Sequence, residues 1–136
     1  MTNPLAMIAE DDPKLGMIYA TALQQVGYAT YLDKDGDQIV ADLPGLNPAL
    51  IILDMHLPYA SGADILRQIR SDKRWDKVPI IVATADLFVA KSLQGQADYV
   101  LLKPVSVGRL LEIVNQLQAA TDEKSPNQPD DKESSQ

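Results

Sequence analysis

The chain has no cysteine, and only one histidine, one tryptophan and one phenylalanine among its 136 residues. Without cysteine there is no disulfide framework, no thiolate metal site and no thiol nucleophile. The amino end lacks a basic segment followed by an apolar run and a cleavage site, and no apolar stretch approaches membrane-spanning length. A cytoplasmic protein without membrane insertion is therefore expected. Basic residues are also few: 12 Lys and Arg stand against 19 Asp and Glu, for a formal net charge of -7. That balance opposes association with phosphate backbones, and no Lys/Arg patch with interleaved aromatics is visible, so direct nucleic-acid binding is not expected. The length suits one domain with a real core and is too short for two full ones.

What the chain does have is a central stretch, Pro48-Ala49-Leu50-Ile51-Ile52-Leu53-Asp54, with a further proline at Pro58. Consecutive apolar residues bounded by prolines read as a strand buried on both faces. Its last residue is a carboxylate, placed where open α/β sheets keep their chemistry. Burying that charge without a partner or a use is costly, so what surrounds Asp54 decides how the chain is read.

Taken in order, residues 5–9 form a first apolar strand that runs into Glu10-Asp11-Asp12-Pro13. Asp12 suits the cap of the next helix, with Pro13 at its first position. Leu15, Ile18, Tyr19, Ala22 and Val26 recur at helical spacing, and Gly27 ends the helix. A second strand is expected over 28–32, a polar turn over 33–36, and a short helix over 37–43 with Ile39, Val40 and Leu43 inward; 44–48 then connects to the central strand. After Asp54 come a loop to Ser61 and Gly62 and a helix over 63–71, with Ile65, Leu66 and Ile69 inward and Arg67 and Arg70 more exposed. Trp75 is expected to cover the bottom of the sheet. A fourth strand over 78–83, a weak helix over 87–94, a fifth strand over 99–102 and a last helix over 107–119 complete five strand–helix units. That alternation predicts an α/β fold: a five-stranded parallel sheet with helices on both faces and one common carboxyl edge.

On such a sheet Glu10, Asp11, Asp54, Thr84 and Lys103 all sit at or just past strand carboxyl ends. Clustered carboxylates repel, and the repulsion is relieved by protonation or by a hard divalent cation. Oxygen ligands without cysteine suit Mg²⁺. The Lys103 ammonium can neutralise Asp54 or an incoming phosphoryl group, and Thr84 can donate a hydroxyl hydrogen bond to the same oxygens. The chemistry implied is nucleophilic: a carboxylate needs no base to attack phosphorus, and the product is an acyl phosphate.

Glu10-Asp11-Asp12-Pro13, Asp54-Met55-His56-Leu57-Pro58 with Gly62, Thr84-Ala85 and Lys103-Pro104, in that order, resemble the receiver domain of bacterial two-component response regulators. The resemblance covers residues 4 to 119 and implies a flavodoxin-like (βα)5 fold. It further implies that Asp54 is the phosphoacceptor. Asp11 is then a direct Mg²⁺ ligand, Glu10 acts through metal-bound water, and the backbone carbonyl of His56 completes the protein ligands. Thr84 is implied as the switching hydroxyl and Lys103 as the phosphate-contacting cation. His56 and Asp86, each two residues beyond a site residue, are candidates for tuning the lifetime of the acyl phosphate. The implied partners are a histidine kinase or histidine phosphotransfer protein and a downstream protein met through a changed face of the fourth helix, fifth strand and fifth helix. Phe88, Val89, Val100, Val105 and Val107 are candidates for an apolar patch that docks a kinase or a second copy as a homodimer, with core the favoured reading for Val105 and Val107.

Two departures stand out. The stretch from Thr84 to Lys103 is a few residues shorter than the family's usual pattern. The family also tends to carry an aromatic three residues before the lysine, where this chain has Val100 with Tyr99 adjacent. Neighbouring side chains on a strand face opposite ways, so the coupling of Thr84 to an aromatic is either absent or rebuilt.

From position 121 the composition turns polar, without one large apolar residue. Residues 1–120 are expected to form the receiver domain and 121–136 a disordered acidic and polar tail. The stretch after Ala119 is too short for a DNA-binding fold, which gives the expectation of a stand-alone module that phosphotransfer switches. As an enzyme it would do no more than slowly hydrolyse its own aspartyl phosphate. The alternatives are a phosphorylation-independent pseudo-receiver acting as a protein-interaction module and, more remotely, a phosphatase of the aspartyl-nucleophile type, whose usual second acid is replaced here by His56.

Overall fold

A computed structural model describes residues 3–58 and 61–123. Five strands, β1 (Leu5–Ala9), β2 (Ala29–Asp33), β3 (Leu50–Asp54), β4 (Ile80–Thr84) and β5 (Tyr99–Leu102), alternate with helices α1 (Pro13–Gln25), α2 (Ile39–Leu46), α3 (Gly62–Ser71), α4 (Leu87–Ser92) and α5 (Val107–Glu123). All neighbouring strands pair in parallel, in the order β2-β1-β3-β4-β5. This is the five-stranded, flavodoxin-like sheet expected from the alternation and the resemblance.

The strand sequences account for the order. β3 and β4 are buried at every position, as continuous branched apolar runs require when helices cover both faces. β2 and β5 are only partly buried and lie at the edges. Side-chain alternation divides the core in two. Met7, Ile51, Leu53, Ile80 and Val82 pack on one face with Ile39 and Leu43 of α2 and Ile65, Leu66 and Ile69 of α3. Ala6, Ile8, Ile52 and Ile81 pack on the other with Tyr19 and Leu23 of α1 and Leu110, Ile113 and Val114 of α5. Trp75, in a single 3-10 turn at Lys73–Trp75, closes the α2–α3 side.

Local departures from the sequence expectations have local causes. In α1 the buried residues are Gly16, Tyr19, Ala20, Ala22 and Leu23, so the expected Tyr19 and Ala22 do face the core. Ile18 falls outside this set and is 45% exposed. The helix expected at 37–43 instead starts at Ile39, because the Asp33 carboxylate accepts the N–H groups of Asp35, Gly36, Gln38 and Ile39 and so extends the turn. It continues through Pro44 to Leu46 and ends at Asn47 in the left-handed region, φ 50°. α4 is six residues long and ends before Gly95. α5 runs to Glu123, past the boundary at 120 expected from composition, and the rest of the expected tail, 124–136, lies outside the described residues. Among the described residues no helix is long and apolar enough to cross a membrane.

Candidate functional site

Three backbone hydrogen bonds extend the strand pairing past its carboxyl edge. Glu10 N–H donates to the Asp33 carbonyl (3.2 Å), Met55 N–H to the Ala83 carbonyl (3.1 Å) and Lys103 N–H to the Thr84 carbonyl (2.8 Å). Glu10, Lys103 and the backbone just past Asp54 are thereby tied to the sheet. Asp12 caps α1, its Oδ1 accepting from the N–H groups of Lys14 and Leu15 (2.9 and 3.3 Å), and Pro13 occupies the first helical position. That cap turns the chain sharply after β1 and leaves Glu10 buried and Asp11 exposed.

On the other side of β3 the chain must double back to enter α3. His56 N–H donates to Asp54 Oδ1 (3.2 Å), Gly62 N–H donates to the Met55 carbonyl (3.3 Å), and Ser61 caps α3. A Cβ at Gly62 would lie 2.4 Å from the Asp54 carbonyl oxygen and 2.6 Å from Met55 Cα. Only glycine fits against that backbone.

One carboxylate oxygen from each of Glu10, Asp11 and Asp54 lies within 4.8 Å of the others. Lys103 Nζ lies 3.2 Å from Glu10 Oε1 and 3.3 Å from Asp54 Oδ1. Burial, then a hydrogen bond and charge repulsion from Asp54, push the Glu10 carboxyl from its ordinary 4.5 up to about 7, against the opposing pull of Asp12 N–H and Lys103. Burial draws the Lys103 ammonium down, but Glu10 and Asp54 outweigh it and leave the group above its ordinary value. One ammonium thus pairs with two of the three clustered carboxylates. The uncompensated negative charge and a donor set made of carboxylate oxygens fit a hard divalent cation.

Thr84 is fully buried, and its Oγ1 accepts the Asp86 N–H (3.1 Å) and lies 3.4 Å from His56 Nε2. Asp86 itself caps α4, Oδ1 accepting from the N–H groups of Phe88 and Val89. The aromatic neighbour is directed elsewhere: Tyr99 packs on the α1–α5 side, with its hydroxyl donating to Gln116 Oε1 (2.8 Å), whereas Val100 packs on the opposite side of the sheet. Tyr99 is therefore not turned toward the face that Val100 occupies. A cleft of about 810 Å³, lined by Asp11, Met55, His56, Leu57 and Val89 among others, opens beside the cluster.

Two features of the site went unread in the sequence. The His56–Thr84 contact joins positions far apart along the chain, and no spacing rule links them. Tyr19 has the spacing of a core residue, which its burial supports, yet its hydroxyl has no hydrogen-bond partner among the described residues. Burial and the charge of Glu10 push its pKa above the ordinary tyrosine value.

Comparison with known proteins agrees with this geometry. The family model described as the response regulator receiver domain matches residues 6–115. The chain is 36% identical over 107 residues to the transcriptional regulatory protein BaeR of Escherichia coli, covering 76% of this chain and 43% of that protein. It is 32% identical over 122 residues to the DNA-binding dual master transcriptional regulator RpaA of Synechocystis, covering 88% and 51%. It thus spans about half the length of these curated relatives. Among solved structures, the signal receiver domain of a histidine kinase from Syntrophus aciditrophicus superimposes with a TM-score of 0.79 at 26% identity, over 93% of this chain and 98% of that one. The receiver domain of the Francisella response regulator 1452 gives 0.77 at 27%, over 88% and 99%. With the Glu10, Asp11 and Asp54 cluster at the carboxyl edge of a β2-β1-β3-β4-β5 sheet, the chain belongs to the receiver-domain family of two-component response regulators.

Proposed function

We propose that Asp54 accepts a phosphoryl group from a phosphohistidine on a histidine kinase or histidine phosphotransfer protein, in a reaction that requires Mg²⁺. The observation that carries this reading is the convergence of the Glu10, Asp11 and Asp54 carboxylates with the Lys103 ammonium between two of them. Asp11, Asp54 and the His56 carbonyl would hold the cation directly and Glu10 through water. The bound cation supplies charge neutralisation at the phosphoryl oxygens.

The chain's own groups do the rest. An Asp54 carboxylate oxygen forms the new bond to phosphorus, and the bond from phosphorus to the donor imidazole nitrogen breaks, its electron pair remaining on that nitrogen. Lys103 then meets a phosphoryl oxygen in place of a carboxylate, and Thr84 donates its hydroxyl hydrogen to another. The adjoining cleft, lined by Asp11 and His56 among others, would receive the donor's imidazole. On the face of α4, β5 and α5, Phe88 is 84% exposed and Leu102 48%, which supports a changed contact there with a downstream protein or a second copy. Hydrolysis of the acyl phosphate would be a slow intrinsic activity. The segment from β1 through the end of α5 at Glu123 would constitute the switching unit.

The test is to incubate the protein with Mg²⁺ and acetyl phosphate or a beryllofluoride salt and to follow adduct formation by intact mass or calorimetry. The wild type forms an adduct and Asp54→Asn does not. No adduct in the wild type supports the phosphorylation-independent module instead. Rapid turnover of generic phosphoesters supports the phosphatase.

A further inference from the structure

Thr84 Oγ1 is fully buried and has two partners among the described residues. It accepts the Asp86 N–H at 3.1 Å, which occupies one lone pair, and it lies 3.4 Å from His56 Nε2. The hydroxyl hydrogen is left to donate, and with the ring proton on Nδ1, His56 Nε2 accepts it. A buried hydroxyl whose hydrogen has no acceptor is destabilised, so His56 stabilises one orientation of the Thr84 side chain. His56 is itself exposed, at the start of the loop that leaves β3. Its ring is reoriented more easily than the buried threonine it contacts. In this chain no aromatic stands at Val100, and Tyr99 is committed to Gln116 on the far side of the sheet. The ring that contacts Thr84 comes instead from the loop after β3.

We propose that His56 is a positioning residue that holds the Thr84 hydroxyl in its resting orientation, so that Thr84 must leave the His56 ring before it can donate to a phosphoryl group on Asp54. The inference rests on the assignment of Asp54 and Thr84 made above, and it adds what opposes the switch. The hydroxyl has one hydrogen. It cannot be given to the imidazole and to a phosphoryl oxygen at once. Every adduct on Asp54 that recruits Thr84 therefore exchanges the His56 bond for the new one, and the resting state is favoured by the strength of the bond given up.

The test uses beryllofluoride with saturating Mg²⁺, read as an equilibrium dissociation constant by calorimetry on the full chain. His56→Ala, at an exposed position, binds about 2- to 10-fold more tightly than the wild type, the range expected for one net hydrogen bond. His56→Gln keeps a hydrogen-bonding group at the side-chain end and returns the constant to near the wild-type value. In a Thr84→Val background the gain from His56→Ala disappears, because the hydroxyl it acts through is gone. Equal or weaker binding by His56→Ala overturns the proposal, as does a gain that persists with Thr84→Val. In the latter case His56 acts on the bound group directly. These outcomes differ from failure of the phosphoacceptor assignment, which shows as no uptake by the wild type at all and removes the proposal with it.

Discussion

Lys103 Nζ lies 3.3 Å from Asp54 Oδ1 and 3.2 Å from Glu10 Oε1, so a single ammonium from the end of β5 bridges two buried carboxylates from β1 and β3. That ammonium therefore holds the site together before any ligand arrives. Lys103→Met leaves both carboxylates without a cation. In chelator at pH 8 the variant loses about 1–3 kcal/mol of unfolding free energy, less than a fully buried pair would lose because Lys103 is partly exposed. At pH 6 the loss is smaller, because Glu10 then takes up a proton in place of the ammonium. Urea unfolding at the two pH values measures both, and a variant as stable as the wild type at pH 8 would show that Lys103 neutralises nothing.

Glu10 gives the metal-free protein a pH dependence of definite sign. Its carboxyl titrates near 7 in the folded chain, raised by burial and by Asp54, against 4.5 when unfolded. The folded state therefore binds the extra proton between these values. The contribution to stability is fully present below about 4.5 and is lost as pH rises through about 7. Its size is about 2 kcal/mol, somewhat under the full value of such a shift because Lys103 and Asp54 adjust with it. Other acids add their own slopes, so the measurement is the difference between wild type and Glu10→Gln. With chelator present, that difference moves against the wild type from pH 5 to pH 8. A difference that is constant across the range would mean that Glu10 is not destabilised by its burial.

Glycines at two helix starts separate a steric requirement from a conformational one. Gly62→Ala places a methyl group 2.4 Å from the Asp54 carbonyl oxygen and 2.6 Å from Met55 Cα, both backbone atoms. The β3–α3 loop must shift, at a cost of about 2–3 kcal/mol, and beryllofluoride binding weakens because the loop follows directly on Asp54 and carries His56. Gly108 lies in the first turn of α5 and a Cβ there meets nothing within 4 Å. Gly108→Ala is expected to stabilise by about 0.5–1 kcal/mol and to leave beryllofluoride binding unchanged. Thermal unfolding and calorimetry on the two variants check both directions.

Much of this site was legible in the sequence because parallel α/β topology converts order along the chain into position along one edge. Once 5–9, the apolar run ending at Asp54, 78–83 and 99–102 read as parallel strands, Glu10, Asp54, Thr84 and Lys103 had to meet there. The Asp12 cap and Pro13 were legible for the same reason, since caps are local. What periodicity could not supply were choices made by tertiary partners. Ile18 has the spacing of a core residue, yet the stripe that meets the sheet runs through Gly16, Ala20 and Leu23. Asp33 reads as an ordinary turn acid, although it gathers four backbone N–H groups and delays the start of α2. Arg67 and Arg70 read alike as exposed helix cations, and only Arg67 is one.

Arg70 is the clearest such case. Its guanidinium donates to the carbonyls of Trp75, Asp76 and Val78 through one nitrogen (3.3, 3.1 and 3.0 Å), to the Gln96 carbonyl through Nε (3.0 Å) and to Asp98 Oδ2 through the other terminal nitrogen (2.9 Å). The same Asp98 oxygen accepts the Ile80 N–H at 2.7 Å. One side chain thus joins the end of α3, the entry to β4 and the turn before β5, on the opposite edge of the sheet from Asp54. A lysine at this position keeps the charge but has a single nitrogen, which cannot reach carbonyls on both sides at once. Arg70→Lys is therefore expected to lose about 1–3 kcal/mol, from carbonyls left without donors and a weakened ion pair. Beryllofluoride affinity stays within about twofold of the wild type, because the clamp lies at the amino edge and the ligand binds at the carboxyl edge. Urea unfolding with calorimetry on the same preparation decides it. Loss of affinity without loss of stability would mean that this clamp is coupled to the switch and does not merely fasten the fold.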